Sequence, residues 1–414
     1  MNPAVVVFAS LYPSTEQPTA GIFIHERMKR VAGQLPVIVV SPQPWFPGQG
    51  VLRWLRPGYR PGGASHEWRD GVEIHRPRFL ALPLLGRSLD SISMAVCSMP
   101  LLSRLRRAGK LDLIDAHFGY PDGHAACVIA RWLRVPFTVT LRGTEPRIGA
   151  AAVRGRLQRR ALRAAARVIG VAGSLADWAR GQGVADERLT VVGNGVDPDL
   201  FAPIPRGEAR RTLGLPDDAD VLITVGGLTE RKGFHRVIDV LPDLVAEHPK
   251  LHYLVVGGRS GEGDWRGRLE AQVRSLGLEQ RVHFLGVVPP DALHVPLSAA
   301  DVFVLASRNE GWANVLLEAM ACGVPVVATD VGGNAGVVVR EELGTVIPFG
   351  DREALVRELH AALDRRWDRD AIRSHARENA WDGRVDALVA LLSGAVGAAS
   401  AGCEQPRVEG VSRP

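Results

Sequence analysis

The sequence predicts an α/β fold of two doubly wound domains with Rossmann-like topology. The chain has 414 residues, more than one hydrophobic core usually serves, which suggests two domains of roughly 200 residues each. Short β-branched runs alternate with helical patterns on both sides of the segment 194–216, which is rich in proline and turn dipeptides. The alternation is typical of βαβ units on a mainly parallel sheet, and the interruption is typical of a linker.

The strand candidates are short apolar runs. In the first half they cover residues 5–8, 37–40, 113–116, 137–141, 168–172 and 189–192, and in the second half residues 221–225, 253–256, 282–285, 302–305 and 325–328. Helical patterns lie between most of them, for instance over 24–33 and 123–133. The segment 41–83 is rich in Pro, Gly, Arg and Trp, and we expect an excursion there with a short strand near 72–76.

Four segments follow from this pattern. We predict an N-terminal domain over residues 1–194, a second domain over 195–375, closing helices over 376–394 and a disordered tail over 395–414. Ligands of doubly wound sheets bind at the carboxyl ends of the strands. The expected site is therefore the cleft between the two domains.

Composition places the chain among globular proteins of the cell interior. Hydrophobic residues make up 46% and charged residues 23%, and no apolar run reaches the roughly 18 residues that span a bilayer. The first residues lack a basic segment before their apolar run, which favours a buried strand over a signal peptide. The four cysteines are scattered without metal-binding spacing, so we expect reduced thiols in the cytoplasm.

Charge is unevenly distributed along the chain. The first 200 residues carry 26 Lys or Arg and 15 Asp or Glu, whereas the rest carries 24 and 30. A basic half suggests an anionic partner, for which membrane phosphates, a lipid-pyrophosphate acceptor and nucleic acid are candidates. Six arginines between 154 and 167 fit a solvated helix face first and an anionic membrane surface second. Aromatic residues do not interleave with them, so we expect no nucleic acid partner.

Two acids, Glu310 and Glu318, bracket a short loop that lies between an apolar strand and a helix. Helix N-terminal amides bind anions, phosphates above all. An acid in the first helical turn can also accept hydrogen bonds from a pair of ribose hydroxyls. The alternative for Glu318 alone is a plain complement to the helix dipole, which contributes about 0.3–1 kcal/mol.

The second domain places Lys232 after its first strand, at the start of a helix. The run 225–233 reads Val-Gly-Gly-Leu-Thr-Glu-Arg-Lys-Gly, and there the ammonium could meet a diphosphate held by helix amides. An isolated lysine would more simply be an exposed surface residue. However, this segment and the Glu310 loop both leave carboxyl ends of strands in one predicted sheet.

The run 307–323 resembles the E-x7-E segment of retaining, nucleotide-sugar-dependent glycosyltransferases of family 4, which have the GT-B fold. The resemblance covers nearly the whole chain and is strongest over 221–340. It implies that the domain 1–194 binds the acceptor, that the domain 195–375 binds the nucleotide-sugar donor, and that the closing helices over 376–394 pack back toward the N-terminal domain. It implies that Glu310 contacts the transferred sugar and that Glu318 contacts the ribose. It also places five neighbours on sugar hydroxyls and phosphate, namely Gly311, Trp312, Ala313, Asn314 and Val315. Trp312 stands where phenylalanine is commoner, and a packed aromatic is an equal alternative.

The resemblance also implies how the donor is held. Relatives often carry Gly-Arg-Leu before the Lys-Gly pair, with Arg and Lys both on the diphosphate, but this chain has Gly227 in the place of that Arg. We expect Arg231 to supply the charge instead. Gly258 and Arg259 after one strand and Val287 after another match the positions that hold the base, without separating uracil from guanine.

Three residues of the first domain are further candidates. Gly21, in the loop after the first strand, would cover the donor diphosphate, with a plain turn glycine as its alternative. His117 ends a strand where relatives commonly keep a histidine that binds sugar hydroxyls, although a lone histidine is more often structural. Arg142 stands where relatives often have histidine, and could grip an acidic sugar or a phosphate.

The expected function is transfer of a hexose-type unit from a UDP- or GDP-sugar to a glycan or lipid-linked acceptor, with retention of the anomeric configuration. The resemblance points to bacterial surface or exopolysaccharide synthesis. We expect no metal and no cofactor, because lysine and helix amides would stabilise the charge on the leaving diphosphate. The expected location is the cytoplasm, with peripheral binding to the inner face of the cell membrane as an open option.

Several other classes remain as alternatives. A non-hydrolysing nucleotide-sugar epimerase has the same fold, and a non-catalytic partner subunit would be expected to lose Lys232 or Glu318. A nicotinamide oxidoreductase would need G-x-G-x-x-G after the first strand, and the sequence does not have it there. Paired glycosidase carboxylates are a rival for Glu310 and Glu318, but the loop and helix between them do not obviously set them across one bond.

Overall fold

The computed structural model describes residues 2–18, 20–55, 63–81 and 87–401. Contacts within the chain define two compact units: residues up to Gly193 group with 385–401, and Asn194–Arg384 form the second unit. Each unit is an α/β assembly built on one large sheet. No helix in the described part of the chain combines the length and the apolar character that a bilayer span requires.

The first unit is built on an eight-stranded sheet with the order β10-β9-β8-β7-β1-β2-β5-β4, and β3 and β6 form a separate pair. Its strands are β1 Val5–Phe8, β2 Val37–Val40, β3 Gln43–Trp45, β4 His66–Arg69, β5 Val72–His75, β6 Arg78–Leu80, β7 Leu113–His117, β8 Phe137–Leu141, β9 Arg167–Gly170 and β10 Leu189–Val191. Its helices are α1 Ile22–Val31, α2 Gln49–Leu55, α3 Asp90–Arg107, α4 His124–Leu133, α5 Glu145–Gly149, α6 Ala152–Ala164 and α7 Gly173–Gly181.

All neighbouring strands from β10 to β5 pair in parallel, and helices between most of them form the crossovers that parallel pairing requires. All four residues of β1 are fully buried, as expected for a strand with no solvent-facing side. Among the described strands, only the edge strand β4 pairs antiparallel, with β5. The described part of the predicted excursion over 41–83 holds four strands, of which the sequence indicated one. Residues 56–62 and 82–83 of this segment lie outside the described part.

The second unit is built on a six-stranded, fully parallel sheet with the order β13-β12-β11-β14-β15-β16. Its strands are β11 Asp220–Val225, β12 Leu251–Val256, β13 Val282–Gly286, β14 Val302–Leu305, β15 Val326–Thr329 and β16 Gly344–Ile347. Its helices are α8 Arg206–Thr212, α9 Phe234–Glu247, α10 Arg266–Ser275, α11 His294–Ala299, α12 Asn314–Ala321, α13 Arg352–Asp364, α14 Arg369–Glu378 and the start of α15 Trp381–Ala401. Two hydrophobic clusters fill the opposite faces of this sheet.

The strand order of each sheet reverses at one point. In the second unit the chain runs outward from β11 to β12 and β13 and then returns to place β14 on the other side of β11. In the first unit the same reversal separates β1 from β7. Loops that leave such neighbouring strands diverge to opposite faces and open a crevice at the carboxyl edge. The fold therefore provides one crevice in each unit.

The end of the chain differs from the expected tail. α15 continues through Ala401, so residues 395–401, which we expected to begin a disordered tail, are helical. Small residues, mostly alanine, dominate this stretch, and alanine is the strongest helix former. The rest of the predicted tail, 402–414, lies outside the described residues.

Close packing of strands makes several glycines obligatory, and Gly344 is the clearest case away from the candidate site. It opens β16 opposite Val326 with a φ of +142°, and a Cβ added there would lie 1.9 Å from the Val326 carbonyl oxygen. Any side chain would therefore push β15 and β16 apart.

We expect Gly344→Ala to lower the free energy of unfolding by about 2–3 kcal/mol, because strand separation and an unfavourable φ act together. Urea denaturation of the purified variant measures this loss. Gly383→Ala is the matched control: it lies in α15 with no atom near its added Cβ, and should stabilise by about 0.5–1 kcal/mol. Equal stabilities for the two variants would contradict the packing argument.

Candidate functional site

Lys232 and Glu310 meet across the strand reversal of the second unit. Lys232 follows β11, Glu310 follows β14, and Nζ of the lysine donates to Oε1 of the glutamate over 2.8 Å. Nη1 of Arg231 lies 3.3 Å from the other carboxylate oxygen, and this arginine also donates to Glu262 over 2.9 Å. The Glu310 side chain is only 7% exposed. The structure thus brings together three residues that the sequence predicted as one site.

Two helices begin beside this ion pair without a capping side chain. α9 starts after Gly233 and α12 after Ala313, and neither N-cap residue accepts a side-chain hydrogen bond from the first turn. First-turn amides carry the positive end of the helix dipole, which favours an anion. The amides of both helix starts and the ammonium of Lys232 are therefore donors suited to a diphosphate.

The sequence analysis expected Glu318 in the first turn of α12, but the structure does not place it there. The helix begins at Asn314, so Glu318 falls in the second turn and its side chain is half-buried. The prediction was wrong because the run 311–313 contains residues that could open a helix but stays in the loop. A role for Glu318 as a complement to the helix dipole is therefore less favoured, because that effect fades beyond the first turn.

The loop that carries Glu310 is braced by the segment after β15. A Cβ on Gly332, which has a φ of +60°, would lie 1.7 Å from the Glu310 carbonyl oxygen, so only glycine permits this approach. Oγ1 of Thr329 donates to the Ser307 carbonyl over 2.6 Å, and Nδ2 of Asn334 donates to the Thr329 carbonyl over 3.0 Å. These contacts fix the backbone from which the Glu310 carboxylate projects.

Most of the residues that follow Glu310 pack against the hydrophobic core. Trp312 packs against the hydrophobic core, and the guanidinium of Arg384 lies 5.3 Å from its ring centroid, which favours the packed-aromatic alternative. Ala313 is buried and Val315 packs against the same core, whereas Gly311 is half-buried. Oδ1 of Asn314 accepts from the Asn194 amide over 2.9 Å, which ties the start of α12 to residue 194.

The predicted base-binding residues lie together at the carboxyl ends of β12 and β13. A Cβ on Gly258 would lie 2.6 Å from Cγ2 of Val287, and Val287 is 72% exposed. Arg259 is exposed as well. Gly227 is crowded by Ser260, whose Cβ would be 2.9 Å from an added Cβ. The arginine common in relatives would therefore require Ser260 to move.

In the first unit, His117 and Arg142 form a buried pair at the ends of β7 and β8. Nη2 of Arg142 lies 2.9 Å from Nδ1 of His117, while Nε2 of His117 lies 3.2 Å from Oδ2 of Asp115. Burial lowers the pKa of His117 to about 4. The carboxylate of Asp115 partly opposes this shift, and the positive charge of Arg142 adds to it. The histidine is neutral at pH 7 and fully buried. Its predicted contact with a donor sugar stays a prediction.

Arg142 and the loop after it are organised by Glu145. One oxygen of this buried carboxylate accepts from the backbone amides of Arg142 and Gly143 over 3.1 Å and 2.7 Å, and the other accepts from Gly119. The guanidinium of Arg142 lies 5.2 Å from the ring centroid of Phe23. Burial lowers the pKa of Arg142 and raises that of Glu145.

Loops on the two sides of the first unit's strand reversal are joined by Asp122. Its carboxylate accepts from the backbone amide and the hydroxyl of Ser10 over 3.1 Å and 3.0 Å, and burial raises its pKa to about 8. Gly21 lies in the loop after β1 with a φ of +66°, and an added Cβ would lie 2.4 Å from the Leu11 carbonyl oxygen. This approach explains the glycine by packing alone.

Family models match both halves of the chain. The model for glycosyl transferases group 1 matches residues 205–379, and the model for glycosyltransferase family 4 matches residues 53–200. A D-inositol 3-phosphate glycosyltransferase of Corynebacterium urealyticum is 30% identical over 358 residues, which cover 80% of this chain and 82% of that protein. The chain belongs to the group 1, family 4 glycosyltransferases.

A further relative and a solved structure of the same fold each cover most of this glycosyltransferase. The putative teichuronic acid biosynthesis glycosyltransferase TuaC of Bacillus subtilis is 28% identical over 335 residues, 80% of this chain and 81% of TuaC. The crystal structure of Anabaena HepE in complex with UDP matches 95% of this chain and all of HepE, with a TM-score of 0.71 and 22% identity. HepE has also been solved with UDP-glucose, and that structure matches with a TM-score of 0.65 and 20% identity. The two-domain GT-B fold is thereby confirmed.

Sequence reasoning missed the residues of this glycosyltransferase that hold others in place. Asp115, Asp122, Glu145, Gly332 and Asn334 were not proposed as site residues. Asp115 and Glu145 stand in the same short runs as His117 and Arg142, so polar residues at predicted strand ends were an available signal. Asp122 and Gly332 become recognisable only from long-range contacts.

We expect Asp122→Asn to reduce the loss of stability that the protein shows as the pH rises from 6 to above 8. The folded state keeps the Asp122 proton up to about pH 8, whereas the unfolded chain releases it at acidic pH. This group therefore makes folding less favourable as the pH rises from acidic values to above 8. Urea unfolding at pH 6 and pH 9 should show a smaller difference for Asp122→Asn than for the wild type.

The control for this measurement is Asp364→Asn, at an exposed position near the end of α13. It should keep the wild-type difference between the two pH values. If Asp122→Asn keeps that difference as well, Asp122 is ionised in the folded protein at neutral pH.

Proposed function

We propose that this glycosyltransferase moves a hexose-type sugar from a nucleoside diphosphate to an acceptor with retention, and without a metal ion. The observation that carries the proposal is the ion pair of Lys232 with Glu310 at the strand reversal, next to two uncapped helix starts. Ligands of doubly wound sheets bind at such reversals, and the ammonium of Lys232 and the first-turn amides of the two helices are donors suited to a diphosphate.

The chemistry follows from where charge develops. As the anomeric bond lengthens, negative charge accumulates on the departing diphosphate, and preorganised donors aimed at it lower the barrier. Lys232 and the first-turn amides of α9 and α12 supply such donors. Glu310 holds the ammonium of Lys232 in place with its 2.8 Å contact, and so acts on the diphosphate through the lysine. The leaving phosphate oxygen takes the proton of the acceptor hydroxyl.

The remaining donor contacts are assigned by position. Glu318, one turn into α12, accepts hydrogen bonds from the ribose, and the exposed Val287 and Arg259 border the base. HepE, which binds UDP and UDP-glucose, supports a UDP-linked donor, with a GDP-linked donor as the alternative. TuaC supports a surface polysaccharide as the acceptor.

We expect Lys232→Ala to lower turnover by about 100-fold or more, because one preorganised charge donor is lost. Glu318→Ala should raise the KM for the donor by about tenfold, because ribose hydrogen bonds to a charged acceptor are lost. The measurement is nucleotide release with a panel of UDP- and GDP-sugars, accompanied by melting curves that establish folding.

Matched controls are Lys250→Ala and Glu279→Ala, both at exposed positions of the second unit. They should keep wild-type kinetics. The assignment fails if Lys232→Ala transfers sugar at the wild-type rate, or if neither UDP nor GDP raises the melting temperature. If the protein instead converts the nucleotide sugar to its epimer and transfers no sugar, the epimerase alternative is established.

We further propose that the first unit binds the anionic inner face of the cell membrane through one face of α3. Ile92 and Val96 are 41% and 64% exposed on this face, and the exposed Arg104 and Arg107 continue it at helical spacing. An apolar segment next to basic residues is typical of interfacial helices. The adjoining strand β6 adds the exposed Leu80, which pairs with the exposed Trp45.

We expect the protein to sediment with phosphatidylglycerol vesicles at low salt and much less with phosphatidylcholine vesicles, because basic residues are attracted to anionic lipid. Ile92→Glu with Val96→Glu should abolish this sedimentation. Val339→Glu, at an exposed apolar position of the second unit, is the control that should retain it. Equal binding of both variants would overturn the assignment of α3.

A further inference from the structure

Three side chains on the β4–β5 hairpin converge on one point of the solvent-facing surface. His66 of β4 pairs directly with His75 of β5, and Glu73 lies two residues before His75 on the same face. Nε2 of His66 and Nε2 of His75 lie 3.2 Å and 3.0 Å from the same carboxylate oxygen, Oε1 of Glu73. One nitrogen or oxygen from each residue falls within 4.8 Å of the other two.

Two of the three separations between these donor atoms are close to those of a metal coordination shell. Zinc binds histidine nitrogen and carboxylate oxygen at about 2.0–2.2 Å, so a tetrahedral set places neighbouring donor atoms roughly 3.3 Å apart. The two distances from Oε1 of Glu73 are close to that value. A small closing movement of the more exposed His66 completes the shell. Its side chain is 47% exposed, against 20% for Glu73 and 17% for His75, so it has room to move.

We infer that His66, Glu73 and His75 bind a divalent transition-metal ion of the zinc class, with a fourth position left to water. Imidazole nitrogen selects zinc, copper, nickel and cobalt over magnesium and calcium, which prefer oxygen ligands. The site is distinct from the proposed donor site. It lies on the edge pair of the eight-stranded sheet, with β2 between β5 and β1.

The metal would fasten a hairpin that braces the loop after β1. Asp70, in the turn between β4 and β5, bonds His25 over 2.7 Å, and His25 in turn bonds the Tyr12 hydroxyl over 2.8 Å. The buried Arg76, directly after β5, donates to the Pro13 carbonyl over 2.6 Å. Holding β4 on β5 therefore stabilises the loop that contains Tyr12 and Pro13, which leads to Gly21.

Titration calorimetry of the full-length, tag-free protein with ZnCl2 tests the site. We expect one equivalent to bind. His66→Ala and His75→Ala should each raise the Kd by at least about tenfold, since each removes one of three ligands. Glu73→Gln keeps the shape but removes the charge, and should weaken binding in the same direction. Cobalt titration provides a second reading, because a tetrahedral His2Glu set gives strong visible absorption bands.

The matched control is His252→Ala. His252 and His283 form another histidine pair, 2.9 Å apart between ring nitrogens, on β12 and β13, and its loss should leave the bound equivalent intact. Zinc should also raise the melting temperature of the wild type and of His252→Ala, but not of His75→Ala. The inference is overturned if zinc does not bind, or if the three hairpin variants bind it as the wild type does. Glycosyl transfer need not be measured for either outcome.

Discussion

The ion pair between Lys232 and Glu310 depends on a reversal of strand order. Because β14 lies beside β11 although α9, β12, α10, β13 and α11 come between them in sequence, the loops after these two strands share one edge of the sheet. The lysine and the glutamate can then bond over 2.8 Å although 78 residues separate them in sequence. The same arrangement brings the starts of α9 and α12 to this edge of the sheet, since each helix begins where its loop ends.

The first unit uses its reversal differently. Its loops after β1 and β7 are joined by Asp122 and Ser10, and beside them His117, Arg142 and Glu145 are all buried. Burying several ionisable groups is costly unless they are hydrogen-bonded to one another. The backbone amides on Glu145 and the imidazole on Arg142 meet that requirement. The charged pair of the second unit thus lies at the carboxyl edge of its sheet. The ionisable groups of the first unit are instead buried and bonded to one another.

The sequence was most informative where a pattern is local. Apolar runs located most of the parallel strands, and the runs around Lys232 and Glu310 marked two loops that meet at one edge of the second sheet. It was least informative where long-range contacts decide: the burial of His117, the start of α12 after Ala313, and the approach of Gly332 to Glu310. The hairpin histidines were missed because antiparallel pairing, which joins His66 to His75, leaves no signal in their spacing.

Glycines at the carboxyl edge of the second sheet have a consequence for how specificity can change. Gly233 and Gly257 pack directly against neighbouring main chain: an added Cβ would lie 1.9 Å from the Ala306 carbonyl oxygen at Gly233 and 1.8 Å from the Gly226 carbonyl oxygen at Gly257. A side chain at either glycine would disturb the strands, so the fold constrains these two positions. Arg259 and Val287 are exposed and are not constrained in this way, so under the proposed function a change of donor preference is expected there first.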